Sequence, residues 1–390
     1  MTLRTINREE LRGKRVLLRV DLDVPVTEWE VTGGWVRLRS ARRTIKTLQA
    51  AGARIVVIAH RGRPKGVDLS LTLRPVVSEL ANGLDEGTVT FVPPDVHDRL
   101  VAKTHAMANG DVVVLENLRF HLGEEKNDDA FAAQLAALGD VYMNDAFATC
   151  HRSHASVVGV TKHLPSYAGP GLLHEMEGLA PVMDRARKPF VAIVGGKKIS
   201  SKLHAMRALM EEADRFFVGG AIATTFFVAE GRPVGRSMYE QDDVAAANEL
   251  RKLASISLPV DVLVKSLSGS YRVATTHDVA DDEAIVDIGP AAIKTMHAAV
   301  RGAQTIVWNG PMGVVEDAPS CVGSDAVAHM LAECSRGAAY GCVGGGDTVG
   351  LLEELKIADF VDHVSTGGGA MLEYLGHRPL PGLEALRTSL

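Results

Sequence analysis

Short runs rich in Val, Ile and Leu recur along the chain, and each stops abruptly at a polar residue or glycine before a helix-like segment begins. The runs are Arg15–Val20, Arg54–Ala59, Asp111–Leu115, Asp140–Met143, Phe190–Val194, Arg215–Val218, Pro259–Val264, Thr305–Trp308, Tyr340–Val343 and Asp362–Val364. Continuous apolar strands alternating with helices are the pattern of parallel sheets covered on both faces. About ten such strands exceed one ordinary open sheet, so the pattern predicts two α/β domains. Pro165, Gly169, Pro170 and Gly171 mark the break between them. Leu172, Leu173, Met176, Leu179 and Met183 then follow helical spacing, which predicts a connecting helix through Arg187. The expected organisation is a first domain over 1–170, a helix over 171–187 and a second domain over 188–376, with a two-proline tail, 377–390, packed on a neighbouring surface.

Ligands of open parallel sheets gather beyond the carboxyl ends of the strands. In the first half those ends carry Arg19, Asp21, Asp23, His60, Arg63, Glu116, Arg119, Asn144 and Asp145. In the second half they carry Gly195, Gly196, Lys198, Gly219, Gly220, Asn309, Gly310, Gly345, Gly346, Asp347, Gly367, Gly368 and Gly369. Arginine binds phosphate and carboxylate through two parallel donors, whereas glycine lets backbone N–H groups approach a phosphate. The first half therefore reads as built for a small anion and the second for a nucleotide.

Gly195–Lys202 follows a strand and is expected to open a helix, with Lys198 and Lys202 on one face. It either cradles a phosphate or is a glycine-rich turn bearing surface lysines; its spacing is not that of a P-loop. In Gly344-Gly345-Gly346-Asp347-Thr348, Asp347 either holds Mg²⁺ or only caps the helix, and Thr348 either caps it or bonds a phosphate oxygen. Glu316, after Trp308-Asn309-Gly310-Pro311-Met312-Gly313, is either a ribose ligand or a surface carboxylate. Arg37 and His151-Arg152-Ser153-His154 extend the set of cations in the first half.

These residues lie in motifs that resemble one family. Arg19-Val20-Asp21-Leu22-Asp23-Val24-Pro25 resembles the R-V-D-[FL]-N-V-P signature of phosphoglycerate kinases. His60-Arg61-Gly62-Arg63-Pro64 resembles H-L-G-R-P, and Glu116-Asn117-Leu118-Arg119-Phe120 resembles E-N-[VL]-R-F. Asn144–Ser156, Trp308–Gly313, Gly344–Thr348 and Ser365–Ala370 resemble the family's remaining motifs in the same order. The resemblance implies reversible phosphoryl transfer from ATP to the carboxylate of 3-phosphoglycerate, giving ADP and 1,3-bisphosphoglycerate, after hinge closure. It implies that Arg19, Asp21, Asp23, His60, Arg63, Arg119, His151, Arg152 and His154 form the phosphoglycerate site. Lys198, Gly219, Gly220, Asn309, Glu316, Gly345, Asp347 and Thr348 would form the nucleotide site, with Asp347 on Mg²⁺. Arg37, Lys202, Gly346 and Gly369 would serve the transferring phosphoryl group. It also implies a cytoplasmic monomer of two Rossmann-like parallel-sheet α/β domains joined by a helix and hinge, with the tail returning to the first domain.

Net charge is −6, so no global basic field argues for nucleic acid, and no apolar run suits a membrane span. Four cysteines without a C-x-x-C pair fit reduced thiols. The G-x-G-x-x-G dinucleotide fingerprint is absent, which disfavours a dehydrogenase. Four features depart from the family pattern. Asp23 replaces Asn, so it either still accepts from a substrate hydroxyl or changes the acceptor. Arg61 replaces Leu and is expected to extend the basic patch. Lys197 and Ser201 replace Ala and Asp, and Gly33-Gly34-Trp35 replaces an acidic turn. The rival functions are a same-fold kinase with another phosphorylated carboxylate acceptor and a non-catalytic nucleotide-binding paralogue.

Overall fold

The structure, a computed structural model, describes residues 2–84, 89–93, 97–253 and 256–388. The chain divides into two compact units, Met1–Met176 with Pro379–Leu390, and Glu177–Arg378. The division falls inside the helix Pro170–Met183, which starts and ends earlier than the pattern predicted.

The first unit is built on a parallel sheet of six strands, in the order Val89–Val92, Val112–Leu115, Arg54–Ile58, Arg15–Arg19, Val141–Asn144, Ser166–Ala168. Alternate residues feed two cores. Val16, Leu18, Ile55 and Val57 pack with Leu38 and Ile45 of the helix Trp35–Ala50. Leu17, Val56, Ile58 and Tyr142 pack with Phe131 and Leu135 of the helix Asp129–Ala136. Burial on both faces is why the Arg15–Arg19 strand carries no period-two alternation. The tail is stitched to this unit by backbone bonds from Arg4 to Leu386, Gly382 to Cys150 and Thr388 to Thr2.

The second unit holds another parallel six-stranded sheet, in the order Ile256–Ser257, Arg215–Val218, Phe190–Val194, Thr305–Asn309, Tyr340–Gly344, His363–Ser365. In each sheet the chain builds first one side and then the other of its first strand. That reversal opens a crevice beyond the strand's carboxyl end.

One strand reading is corrected. Pro259–Val264 does not join the parallel sheet; Asp261–Ser266 is the centre of a separate antiparallel sheet between Tyr271–Thr275 and Glu283–Ile288. In the structure Val262 and Val264 are buried while Asp261, Leu263 and Lys265 are only partly so, the alternation of a sheet with one wet face, which the unbroken apolar run 262–264 hides in the sequence. Two edge strands, Val89–Val92 and Ser166–Ala168, lay below the reach of the apolar pattern.

Candidate functional site

In the first unit the cations converge beyond the strand ends, and each is held differently. Arg19 is almost fully buried; its guanidinium donates to Ser156 Oγ at 3.1 Å, to the Val20 carbonyl and to His60 Nδ1 at 2.9 Å. Arginine has only donors, so His60 Nδ1 must accept and its proton sits on Nε2. Burial, reinforced by Arg19 and Arg152, holds the His60 pKa well below its ordinary value and keeps the ring neutral. Arg37 lies in the first turn of Trp35–Ala50, with Nε 3.0 Å from Asp21 Oδ2 and Nη1 donating to the Asp23 carbonyl. Gly34 opens that helix at φ +74°, and an added Cβ would lie 2.6 Å from a Val24 methyl, so the sequence needs glycine here. Burial raises the Asp21 pKa, and Arg37 pulls it back.

Arg119 stands in the turn Leu118–Phe120, donating to the Gly62 carbonyl with Nε 3.1 Å from Glu125 Oε1. Arg152 donates to His151 Nε2 at 3.1 Å. His154 Nδ1 lies 3.7 Å from Glu124, a buried carboxylate that also accepts from the backbone and hydroxyl of Ser156. Ser156 thus couples Arg19 to Glu124, a residue the sequence reading passed over. Arg63 is exposed and, among the described residues, has no hydrogen-bond or ion-pair partner.

Three further side chains set the frame. Glu116 accepts from Thr72 Oγ1, Leu73 N and Asn117 N, so it is a loop anchor. Asp145 accepts from Thr44 Oγ1 at 2.6 Å and from Gly171 N at 2.6 Å and Leu172 N at 3.1 Å, capping the connecting helix; burial pushes its pKa up to about 6. Arg61 departs from expectation. It does not join the basic patch: it is buried, and its guanidinium donates to the carbonyls of Val24, Ser70 and Thr72.

In the second unit the Phe190–Val194 strand runs into Gly195 and Gly196. A Cβ on Gly195 would lie 2.0 Å from the Pro311 carbonyl oxygen, so two strand-end loops touch backbone to backbone. The helix does not begin at this turn. It starts at Leu203, because Asp243 holds Ser200 N and Ser201 Oγ bonds back to the Lys198 carbonyl. Lys198 and Lys202 therefore do not share a helix face. Lys198 is 57% exposed and lies 3.2 Å from Glu240, whereas Lys202 is turned inward. Lys202 Nζ donates to Gly195 O at 2.8 Å, Asn309 O at 3.1 Å and Asn309 Oδ1 at 2.6 Å. Those oxygens take all three ammonium protons; burial lowers the Lys202 pKa to about 8, with Asp347 opposing the shift.

Lys202 lines a polar cavity of about 290 Å³ with Gly196, Lys198, Asn309, Gly346, Asp347 and Gly369. Gly345, at φ +101°, caps the helix Gly346–Glu354; Asp347 sits in its first turn, exposed and making no capping bond. A role as helix cap alone is thus excluded for Asp347. The buried Thr348 hydroxyl donates to Gly344 O and accepts from Gly310 N, so it ties two loops together. The Asn309 Nδ2 group is buried and without a partner beside the same loops. Gly219 caps the helix Gly220–Ala229. Gly220 lines a second, adjoining cavity of about 310 Å³ with Phe227, Met238, Val262, Ile285, Met312 and the exposed Glu316. Gly196, Pro311 and Asp347 border both. An apolar pocket next to a glycine-walled polar one matches the two ends of a nucleotide, base and phosphates. No sequence motif announced Phe227, Met238 or Ile285 in this role, because apolar side chains read as core.

Residues 6–378 match the family model described as phosphoglycerate kinase. The chain is 44% identical over 386 residues to a phosphoglycerate kinase of Thermosynechococcus vestitus, covering 97% of this chain and 96% of that one. Against the enzyme of Azorhizobium caulinodans the identity is 42% over 395 residues, with 99% of each covered. Among solved structures, phosphoglycerate kinase from Coxiella burnetii aligns with a TM-score of 0.81 at 34% identity, covering 99% of both chains. That from Pyrococcus horikoshii aligns with a TM-score of 0.86 at 29% identity, covering 96% of both. The arginine-bearing and glycine-bearing strand ends thus sit in a chain that belongs to the phosphoglycerate kinase family, phosphotransferases that move a phosphoryl group reversibly between ATP and the carboxylate of 3-phosphoglycerate.

Proposed function

We propose that the first unit binds 3-phosphoglycerate or 1,3-bisphosphoglycerate and the second binds MgATP or MgADP. The observation that carries this division is chemical: guanidiniums line the strand ends of one unit, and backbone amides with a buried lysine line those of the other. Arg63, exposed and without a hydrogen-bond or ion-pair partner among the described residues, is suited to the substrate phosphate. Arg19, His60, Arg119, His151, Arg152 and His154 would complete the phosphoglycerate site, and neutral His60 can offer its Nε2 proton to an anion. Asp21 and Arg37 form an ion pair that a phosphoryl group would enter by taking over one face of the guanidinium.

In the second unit the apolar cavity would take the base and the polar one the phosphates. Glu316 is placed to accept from ribose hydroxyls. Asp347 fits Mg²⁺, being an exposed carboxylate on the wall of the phosphate cavity with no hydrogen-bond partner among the described residues. When bound, Mg²⁺ neutralises charge on the phosphate oxygens. The ammonium of Lys202 would leave its neutral acceptors for a phosphoryl oxygen, and N–H groups at Gly346 and Gly369 would complete the neutralisation. The acceptor carboxylate is already ionised at pH 7, so the transfer needs no general base and no covalent enzyme intermediate. Hinge closure would bring the two ligands into line and keep water from the acyl phosphate. The reading extends to a cytoplasmic monomer: Cys150, Cys321 and Cys342 are buried and form no disulfide among the described residues, which suits a reducing compartment, and monomer is the family expectation.

The division is tested by titration calorimetry. Arg63→Ala should weaken 3-phosphoglycerate and leave MgADP bound as before, and Asp347→Asn should do the reverse. A variant that disturbs only the opposite ligand would refute the assignment.

A further inference from the structure

The Gly62 peptide joins three loops of the first unit. Its N–H donates to Asp23 Oδ1 at 2.8 Å, and its carbonyl accepts from Arg119. Its φ is +62°, a backbone conformation that side chains rarely adopt, and a Cβ there would meet the Leu71 side chain at 2.8 Å, so the position favours glycine. Whatever fixes Gly62 also fixes Arg63, the next residue, and one anchor of Arg119.

Arg61 precedes this joint. It is 6% exposed, and its guanidinium donates to neutral carbonyls of Val24 at 3.1 Å, Ser70 at 2.9 Å and Thr72 at 3.3 Å. Asn117 clamps the Arg61 peptide from both ends, accepting from its N–H at 3.2 Å and donating to its carbonyl at 2.7 Å. A guanidinium buried against neutral acceptors still needs a counter-charge. Burial lowers the Arg61 pKa, and the charge that opposes the shift is that of Asp23. Hydrogen bonds run both ways between the same two loops, Asp23 carboxylate to Gly62 and Arg61 guanidinium to Val24. Those are also two of the positions at which this chain departs from its family's pattern.

We infer that Asp23 and Arg61 are one charge-balanced clasp that positions the Gly62-Arg63 turn for the anionic substrate, so that the extra negative charge at Asp23 is neutralised inside the protein. The clasp rests on the assignment of the phosphoglycerate site to the first unit. It explains how a carboxylate is tolerated beside an anion: its charge answers a buried cation, and Oδ1 is committed to Gly62. Asp23 and Arg61 are positioning residues under this inference, and Arg63 makes the contact.

The test is the dissociation constant for 3-phosphoglycerate, measured by calorimetry on the full chain, in a cycle of Asp23→Asn, Arg61→Leu and the double variant. Asparagine keeps an oxygen for Gly62 N–H and removes only the charge. Arg61→Leu alone should weaken binding roughly fivefold, and Asp23→Asn alone should tighten it by a similar factor, the scale of one unit charge near a partly solvated site. The double variant should return to within about twofold of wild type, and raising the salt should shrink both single effects. A purely structural role would not give single effects of opposite sign. Unchanged binding in Arg61→Leu, or a double variant that binds like Asp23→Asn, would overturn the clasp. If Arg61→Leu does not fold alone, Asp23→Asn against the double variant decides the matter, and Arg61→Gln replaces Leu if neither leucine variant folds. Failure of the cycle in a protein that still turns over 3-phosphoglycerate would overturn the clasp alone; a wild-type protein that binds none would overturn the site assignment beneath it.

Discussion

Lys202→Ala isolates the group that the proposed mechanism depends on most. Lys202 Nζ holds three neutral oxygens at 2.6–3.1 Å on the wall of the phosphate cavity. The same ammonium would hold a phosphoryl oxygen at a comparable distance. At about 4 Å and an effective dielectric of ~20, a unit charge pair is worth about 4 kcal/mol. Part of that already acts on bound ATP, and only the part that grows in the transition state raises turnover. The expected loss is therefore ~10²–10³-fold in kcat, about 2.7–4 kcal/mol, with KM for ATP changing by less than about fivefold. Folding stability should move little. Three charge-assisted hydrogen bonds are lost, but a buried ammonium is removed and the open cavity admits water to the freed oxygens. The assay is steady-state turnover in both directions, with thermal unfolding and MgADP calorimetry to verify the fold. Undiminished kcat in a folded variant would refute the transition-state role; a rise in KM with kcat intact would reduce Lys202 to ordinary binding.

Three further outcomes are expected. Arg37→Ala should lower kcat by ~10²-fold or more while KM for 3-phosphoglycerate rises less than about tenfold, and losing the partner of buried Asp21 should cost about 1–3 kcal/mol in denaturant unfolding. Asp347→Asn should raise the Mg²⁺ concentration needed for half-maximal ADP binding by at least ~10-fold, read by calorimetry at fixed nucleotide. The Lys202 pKa of about 8 makes kcat/KM for ATP fall as pH rises through that value, an inflection absent in Lys202→Arg. Its effect on stability has the opposite sign: between about 8 and the ordinary ~10.4 the unfolded chain holds a proton the native lysine has released, so this group adds stability as pH rises.

The strand ends were legible because parallel strands buried on both faces are apolar throughout and stop where polar chemistry begins, as Arg15–Arg19 and Phe190–Val194 do. Ser166–Ala168 was not, being a three-residue edge strand. Asp261–Ser266 misled because a short apolar run looks alike in both sheet types until its alternation is weighed. Side chains were harder. A spacing of four between Lys198 and Lys202 implies a shared face only if both lie in the helix, and bonds from Asp243 to Ser200 delay that helix to Leu203. Arg61 read as a surface cation because charged residues in loops usually are; three carbonyls from two loops hold it, and nothing local in sequence reports them. Glu124 escaped for the same reason, and so did the anchoring role of Asp145, since their partners Ser156, Thr44 and Gly171 are distant along the chain.

The most direct test of the account is turnover of the purified full chain with MgATP and 3-phosphoglycerate, using glyceraldehyde-3-phosphate dehydrogenase and NADH to report 1,3-bisphosphoglycerate. The account predicts robust NADH oxidation that requires both substrates and Mg²⁺ and collapses in Lys202→Ala. Folded protein that binds MgADP yet leaves NADH untouched would contradict it.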